Sequence, residues 1–288
     1  MYEIRSLHLS DRDDVLEIAR NTWEGHDYIP YLFDTWLEDR HSHTAAIEQE
    51  GHVVALANLR VIENGKTGWM EGLRVHPTYR GKGLATLLTQ HVVKVANEIP
   101  VERIRYTTAV GNKRSLHLGE KVGMTRSSTL AIHWQDQIDE IELPASDQSL
   151  QSVTPLSIYQ ELVDSKIVPY NILIYDWKAV DITKENLENI GSVTESWAEM
   201  REGRINSVSF GLSRKDISGS QWSCAVYAAD GPSFLSQIFH NLTIAQSSKA
   251  KSIFLTYPLK FVKTLYALDW IQPDEDEEMA ITLLERVF

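Results

Sequence analysis

The sequence predicts an α/β fold in which helices cover a mixed sheet, and it predicts that this fold occurs twice. Three observations support this fold class. A strand, a glycine-containing loop and an amphipathic helix follow one another over residues 69–98. Strand and helix patterns succeed one another as βααβββαβαβ over residues 2–134. A similar order recurs faintly after residue 200, which favours two tandem lobes in a chain of 288 residues.

The elements of the first lobe follow from local patterns. We expect helices at 12–21, 31–38 and 115–122 and a further helix beyond Ala85 within 69–98, and strands at 2–9, 43–49, 52–62, 71–75, 103–109 and 128–134. Ser10-Asp11 offers an N-cap to the first helix. The dipeptide Glu50-Gly51 and the run 63–66 mark hairpin turns.

The loop at 80–83 has the composition of an anion site. Gly81 and Gly83 permit backbone conformations that a side chain forbids. The N–H groups that follow have no carbonyl partners at a helix start, where the helix dipole adds positive potential. Arg80 and Lys82 add two full charges. Together these features predict a site for a diphosphate.

Composition limits the partners. A net charge of −12 disfavours nucleic acid and anionic membranes, which select basic surfaces. The single cysteine, Cys224, excludes an intrachain disulfide and favours a reducing compartment. No signal-peptide core, long apolar run or metal-ligand motif is present, so we expect a cytoplasmic monomer or homodimer without a metal.

The spacing Arg80-x-x-Gly83-x-Ala85, after a strand that ends in Val75-x-Pro77, resembles the acetyl-CoA signature of the GCN5-related N-acetyltransferases (GNAT). The resemblance implies the acyl-CoA N-acyltransferase fold and acetyl-CoA as cosubstrate. Main-chain groups of Leu73 and Val75 would pair with the pantetheine arm. The implied diphosphate-binding residues are Arg80, Gly81, Lys82, Gly83, Leu84, Ala85 and Thr86.

The resemblance extends to the helix at 115–122. Asn112 and Ser115 match an Asn and a small residue of the family pattern, which implies hydrogen bonds to the pantetheine arm or the diphosphate. The family Tyr that often protonates the departing thiolate falls on Gly119. The usual general acid is therefore absent, although a thiol of pKa about 8.5 leaves tolerably as the anion.

The first 125 residues also resemble the histidine N-acetyltransferase-like subgroup, which acetylates the α-amino group of a free amino acid. The shared segments are Trp23, 26–30, Trp36-Leu37 and 71–75. Trp23, Asp27 and Tyr28 are then candidates for the acceptor pocket, where Asp27 could hold an ammonium or imidazole. Loop packing or helix capping is the alternative role for each of them.

Glu71 is the candidate general base. In the family geometry its strand diverges from the strand at 103–109, and strand alternation puts Glu71 on the side of Leu73 and Val75 unless a bulge intervenes. The alternative is a solvated carboxylate, or one paired with Arg60 or Arg74. An α-amine of pKa about 8 needs less help from a base than a lysine of pKa about 10.4.

The second half is expected to be a degenerate copy. We assign 1–135 to a catalytic GNAT domain, 136–154 to a linker and 155–288 to a GNAT-like domain. Strands are expected at 206–212, 221–229, 252–257 and 279–288, with helices at 233–250 and 259–268. The counterpart of the diphosphate loop, 228–233, lacks the arginine and the Gly-x-Gly spacing.

The sequence therefore predicts an N-acetyltransferase that moves an acetyl group directly from acetyl-CoA to a small amine, with an amino acid as the expected acceptor. Two alternatives remain. The protein could acetylate peptide or protein N-termini, or it could bind acetyl-CoA without catalysis, as the missing Tyr allows.

Overall fold

The computed structural model describes residues 2–22, 27–144, 149–216, 219–271 and 279–288. The chain folds into two compact units. The first comprises Met1–Tyr106, Asn112–Ser127 and Leu284–Phe288, and the second comprises Thr107–Gly111 and Ser128–Leu283. Each unit is described separately below.

The helices in the described residues are α1 (Arg12–Arg20), α2 (Ile29–Glu38), α3 (Leu84–Glu98), α4 (Lys113–Lys121), α5 (Tyr159–Ser165), α6 (Lys184–Gly191), α7 (Gly231–Ser247) and α8 (Val262–Leu265). The strands are β1 (Glu3–Arg5), β2 (Ser42–Gln49), β3 (His52–Ile62), β4 (Thr67–Val75), β5 (Arg103–Ala109), β6 (Thr125–Asp136), β7 (Leu150–Val153), β8 (Ile172–Tyr175), β9 (Lys178–Asp181), β10 (Glu195–Arg201), β11 (Arg204–Asp216), β12 (Gly219–Ala228), β13 (Ser252–Pro258) and β14 (Ala280–Val287).

The first unit has a mixed sheet in the order β1-β2-β3-β4-β5, with the end of β14 next to β5. Only β4 and β5 run parallel among β1–β5. Helix α3 covers one face, where Leu84 and Leu88 join the core formed with Leu59. Helices α1 and α2 cover the other face, where Ile18 and Phe33 pack in one cluster. The alternation of apolar residues along β2 and β3 supplies both cores.

The end of β14 is part of the first unit. Leu284 is fully buried, and the Nε of Arg105 donates to Oε2 of Glu285 at 2.5 Å. Arg286 Nη1 donates to the Val122 carbonyl at 2.7 Å. The Phe288 N–H donates to the carbonyl of Glu102 at 2.9 Å. The core of the first unit thus depends on residues at the far end of the sequence.

In the second unit the strands lie in the order β14-β6-β13-β12-β11-β10-β7, and only β12 and β13 are parallel among the pairs from β6 to β7. Helix α7 buries Phe234, Ile238 and Leu242 against it. The β8–β9 hairpin is held by the Tyr227 hydroxyl, which accepts from the Ile174 N–H and donates to the Ile174 carbonyl. Apart from this hairpin, the element order of the first unit recurs from β7 to β14.

The sequence located most elements of the first unit, and the predicted mixed-sheet fold class is confirmed. Strand β5 has the predicted bounds, and α3 lies where the helical spacing of apolar residues within 69–98 predicted a helix. Helix α2 begins two residues earlier than expected, and β1 is shorter than expected. In the second unit, the elements β7, α5, β8, β9, α6 and β10 were not predicted.

The boundaries of the compact units differ from those of the predicted domains. The division into two acetyltransferase-like domains stays a prediction. Strands β5, β6 and β14 each contribute residues to both units. The described part of the expected linker is structured, because Ile138 and Ile141 are buried against α7 and β7 pairs with β10. Apolar side chains in that segment therefore serve as core residues.

Candidate active site

The predicted loop joins a short turn at Pro77–Tyr79 to helix α3. Gly81 and Gly83 have φ values of 78° and 80°, in the left-handed region, and Gly83 is the N-cap of the helix. A Cβ built at either glycine meets no atom within 4 Å. The glycines are needed for the backbone conformation, and the space in front of them is open.

The same loop presents unpaired donors. No described residue accepts a hydrogen bond from the N–H groups of residues 81–86, and the first α3 bond of this end runs from Leu87 N–H to the Gly83 carbonyl. The ammonium of Lys82 lies 4.4 Å from the centroid of the Tyr79 ring, and Arg80 is exposed. Leu84 is buried and anchors the helix, while Ala85 and Thr86 are half-buried. These donors and cations fit a diphosphate, the charged group of coenzyme A.

Strands β4 and β5 separate beside this loop. They pair only from Thr67 to Trp69 on β4 and from Arg103 to Arg105 on β5. Among the described residues, 70–75 of β4 therefore have an unpaired edge on that side, as the family resemblance implied for the pantetheine arm. The Leu73 carbonyl accepts from Arg74 Nη1 at 3.0 Å, and the Val75 carbonyl accepts from Arg80 Nε at 3.3 Å.

A bulge in β4 changes the predicted position of Glu71. The pairing with β3 shifts between Leu56, which faces Arg74, and Asn58, which faces Glu71. Between these two pairs, β4 has two residues, Gly72 and Leu73, where β3 has one. Gly72 has a φ of 67°. Glu71 consequently shares a sheet face with Arg74, the face covered by α1 and α2. The expectation from simple alternation, that Glu71 points to the side of Leu73 and Val75, is wrong.

Aromatic residues of the α2 region hold this bulge. A Cβ at Gly72 would lie 2.2 Å from Cη2 of Trp36, so only glycine fits there. The Gly72 N–H donates to the Tyr28 hydroxyl at 3.1 Å. Burial raises the pKa of Tyr28, and the nearby carboxylate of Glu71 acts in the same direction, against the opposing effect of Arg74. Tyr28 is therefore a neutral phenol at physiological pH.

Asn58 is a site residue that the sequence analysis missed. It is fully buried, and its Nδ2 donates to Glu71 Oε1 at 3.0 Å and to the Ser42 hydroxyl at 3.3 Å. Its Oδ1 has no hydrogen-bond partner among the described residues. The signal in the sequence was an amide side chain within the otherwise apolar run of β3. Asn58 fixes one oxygen of Glu71.

Asp27 is engaged by Arg74. The Nε and Nη2 of Arg74 donate to the two Asp27 oxygens at 2.8 and 3.0 Å, and the Asp27 side chain has 0% exposure. The Arg74 guanidinium also lies 5.3 Å from the Tyr28 ring centroid. A direct contact of Asp27 with an acceptor ammonium therefore conflicts with this ion pair. Trp23, the third predicted pocket residue, lies outside the described residues.

Asn112 and Ser115 meet each other at the start of α4. The Asn112 Oδ1 accepts from the Ser115 N–H at 3.1 Å and caps the helix. The cap uses only one of the polar groups of Asn112, so its predicted contact with the cofactor stays a prediction. Gly119 lies on the same helix and is buried.

The described part of the second unit offers no comparable loop. The Asp230 carboxylate accepts from the Ser233 N–H at 2.9 Å and caps α7, and Arg201 Nη1 lies 3.3 Å from its other oxygen. Strands β12 and β13 stay paired over five residues from Gln221 to Ala225. A carboxylate at a helix start repels phosphate. The candidate site therefore belongs to the first unit.

Two further features are absent from the residues that the structure covers. Among them no group of three or more His, Cys, Asp or Glu side chains could hold a metal ion. No helix in the described ranges has the length and apolar character needed to cross a bilayer.

The fold and the loop define the class. A mixed sheet whose β4 and β5 diverge beside a glycine-rich helix start is the acyl-CoA N-acyltransferase fold. Residues 9–124 match the family model described as "Acetyltransferase (GNAT) family". The likeness to that family covers this segment of the chain.

Two curated relatives carry the name histidine N-acetyltransferase. The protein of Scomber australasicus is 32% identical over 107 residues, which cover 36% of this chain and 32% of the relative. The protein of Oreochromis niloticus is 25% identical over 202 residues, which cover 62% of this chain and 58% of the relative. The matches thus span one third to three fifths of those proteins.

A solved structure shares the complete fold. The structure is that of a tandem GNAT protein from the clavulanic acid biosynthesis pathway, with a TM-score of 0.59 at 12% identity. The match covers 100% of this chain and 98% of that one. At this identity the likeness concerns the fold alone, and it agrees with the predicted tandem arrangement of lobes.

Proposed function

We propose that the protein is an acetyl-CoA-dependent N-acetyltransferase whose acceptor is the α-amino group of a free amino acid. The observation that supports this most directly is the open loop at 80–86, where N–H groups without an acceptor among the described residues and two cations lie beside the diverging β4 and β5 strands. Acetyl-CoA supplies an acetyl group activated as a thioester.

Glu71 is the proposed base. Asn58 holds one of its oxygens, and the bulge at Gly72 turns its side chain to the α1–α2 face of the sheet. An acceptor amine approaching from that face would meet the carboxylate before it reaches the edge of β4. Glu71 would take the proton that the nitrogen loses, directly or through a water.

The proposed acceptor class rests on proton affinity and on the relatives. An α-amine of pKa about 8 is partly neutral near pH 7.5, whereas a lysine amine of pKa about 10.4 is almost fully protonated. A single carboxylate base is sufficient in the first case. The relatives' name, histidine N-acetyltransferase, indicates the same substrate class.

Asp27, Tyr28 and Arg74 form the proposed wall of the acceptor pocket. Because Asp27 is bound on both oxygens by Arg74, its proposed task is to fix the guanidinium. Arg74 then presents a localised positive charge on the same strand face as Glu71. A positive charge there suits the carboxylate of an amino acid better than its ammonium group.

An acceptor screen tests the proposal. Release of free coenzyme A is followed with acetyl-CoA and each of the twenty amino acids, their decarboxylated amines, and short peptides with free N-termini. We expect turnover with one or a few amino acids and much less with the matching amines, which lack the carboxylate. Glu71→Gln serves as the control for uncatalysed transfer.

The other outcomes point elsewhere. Turnover of peptides but not amino acids would indicate an N-terminal acetyltransferase. Tight binding of coenzyme A without turnover of any acceptor would indicate a binding module, the candidate that the absent side chain at Gly119 favours.

A further inference from the structure

We infer that Tyr106 supplies the proton to the departing sulfur, in the space left by the missing side chain at position 119. The inference rests on the proposed function, since it concerns the same transfer. It assigns a role to a residue of β5 that the sequence pattern did not single out.

Tyr106 occupies the space in front of Gly119. A Cβ built at Gly119 would lie 2.4 Å from the Tyr106 hydroxyl oxygen and 3.2 Å from its Cε1. The hydroxyl donates to the Ser115 carbonyl at 2.7 Å, one helical turn before Gly119. The hydroxyl of Tyr106 on β5 thus occupies the position that the Cβ of any larger residue at 119 on α4 would need. Tyr106 therefore fits only because residue 119 is glycine.

The position of Tyr106 along β5 is equally specific. The last residue of β5 that pairs with β4 is Arg105, opposite Trp69, so Tyr106 is the first residue of the separated part. Its ring packs on the α3 side of the sheet, with the cluster that includes Leu84 and Leu116. The phenol therefore lies on the residue where the two strands begin to separate, and its hydroxyl contacts α4.

The environment keeps this phenol protonated. Burial raises the pKa of Tyr106, and the hydrogen bond to Ser115 opposes that effect only in part. The charged groups that influence it are Glu120 on α4 and Arg126 on β6, which are paired with each other at 2.9 Å. A donor must hold its proton at working pH, and Tyr106 does.

The proton balance of the step is simple. As the amine nitrogen bonds to the carbonyl carbon, the carbon–sulfur bond breaks and its electron pair stays on sulfur. Tyr106 releases its phenolic proton to that sulfur, which yields free coenzyme A. Glu71 takes the proton from nitrogen and then releases it to solvent, and solvent returns one proton to the phenolate.

The first test is Tyr106→Phe, which keeps the ring and removes the hydroxyl. Because a thiol is a fair leaving group, we expect kcat to fall on the order of 10- to 100-fold, with an unchanged KM for acetyl-CoA. Tyr2→Phe is the matched control, since Tyr2 packs against the same core cluster away from the loop. It should keep the wild-type kcat.

The second test needs no acceptor. Thiolate absorbance in the complex with coenzyme A gives the pKa of the bound thiol. A nearby phenol donor stabilises the thiolate, so that pKa should be about one unit lower in the wild type than in Tyr106→Phe. This result would support the inference even if the proposed acceptor class proved wrong.

A transposition separates chemistry from packing. The double variant Tyr106→Ala with Gly119→Tyr moves the phenol to α4, where the new Cβ would lie 2.7 Å from Cδ2 of Leu284, so that side chain must shift. Recovery of activity relative to Tyr106→Ala alone would show that the phenol, and not the packing of its ring, carries the effect. Equal thiol pKa values in wild type and Tyr106→Phe, or a wild-type kcat in Tyr106→Phe, would overturn the inference and leave Tyr106 a packing residue.

Discussion

At the residue scale, Gly81 and Gly83 give the candidate cofactor loop its left-handed backbone conformation. We predict that Gly83→Ala weakens coenzyme A binding about tenfold or more, because a methyl group would enter the open space and the left-handed backbone would strain by about 1 kcal/mol. Calorimetric titration measures the affinity.

Gly51→Ala is the matched control for that loop variant. Gly51 has a φ of 84° and open space around a built Cβ, but it lies in the β2–β3 hairpin. Both variants should lose similar thermal stability, about 2–4 °C. An equal loss of coenzyme A affinity in the two would contradict a binding role for Gly83.

The base assignment gives a second residue-scale prediction. Glu71→Gln keeps an oxygen for Asn58 Nδ2 but cannot take a proton, so kcat should fall by about 10²–10⁴-fold while the affinity for coenzyme A stays unchanged. Steady-state kinetics and calorimetry together test this. Wild-type kcat in the variant would leave Glu71 as an ordinary solvated carboxylate.

The limits of sequence-based prediction are visible at these residues. Loop 80–85 was predictable because its backbone geometry and its unpaired donors are local properties. The face of Glu71 was not, since the bulge depends on register against β3 and on the ring of Trp36. The contact between Tyr106 and Gly119 likewise joins two elements, and no local pattern reports it.

At the element scale, the two long helices that follow β4 and β12 begin in opposite ways. Helix α3 begins at an uncapped left-handed glycine, and α7 begins at a capping aspartate. At an uncapped helix start the first backbone N–H groups can donate to a ligand, whereas at a capped start a side chain already accepts from one of them. We therefore expect one coenzyme A per chain.

The cap of α7 has a measurable pH dependence. The Ser233 N–H, with Asn206 and Arg201, lowers the pKa of Asp230 below 3.8 despite partial burial. A depressed carboxyl pKa contributes stability above the unfolded value, and that stability is lost as pH falls through the folded value. Asp230→Ala should cost about 1 kcal/mol at pH 7, and the difference should shrink below pH 4.

Denaturant unfolding at pH 7 and at pH 3 measures this change. Asp269→Ala, at an exposed carboxylate of the second unit, is the control and should change stability little at either pH. A cost for Asp230→Ala that is the same at both pH values would show that the carboxylate charge is not involved.

The second unit shows which elements escape prediction. Helices α5 and α6 have seven and eight residues, and β8 and β9 have four each, too few for a periodic pattern to stand out. The 17-residue helix α7 was located to within a few residues. Strand β13 was also located, because its seven residues form one continuous buried run.

At the scale of the whole molecule, the first unit depends on the end of β14. Leu284→Ala should destabilise it by about 2–5 kcal/mol and reduce coenzyme A binding, because Leu284 is fully buried next to Gly119 on α4. Val287→Ala, at a side chain with 67% exposure, should cost less than about 0.5 kcal/mol. Wild-type stability of Leu284→Ala would show that the strand is dispensable.

During synthesis on the ribosome, Arg105 is made long before its partner Glu285. Arg105 and Glu285 are 180 residues apart. At roughly 5–20 residues per second, the nascent chain waits on the order of 10–40 s between the synthesis of the two partners. During that interval the emerging first unit lacks the strand beside β5, and a message cut short before codon 284 would yield a product with an incomplete core.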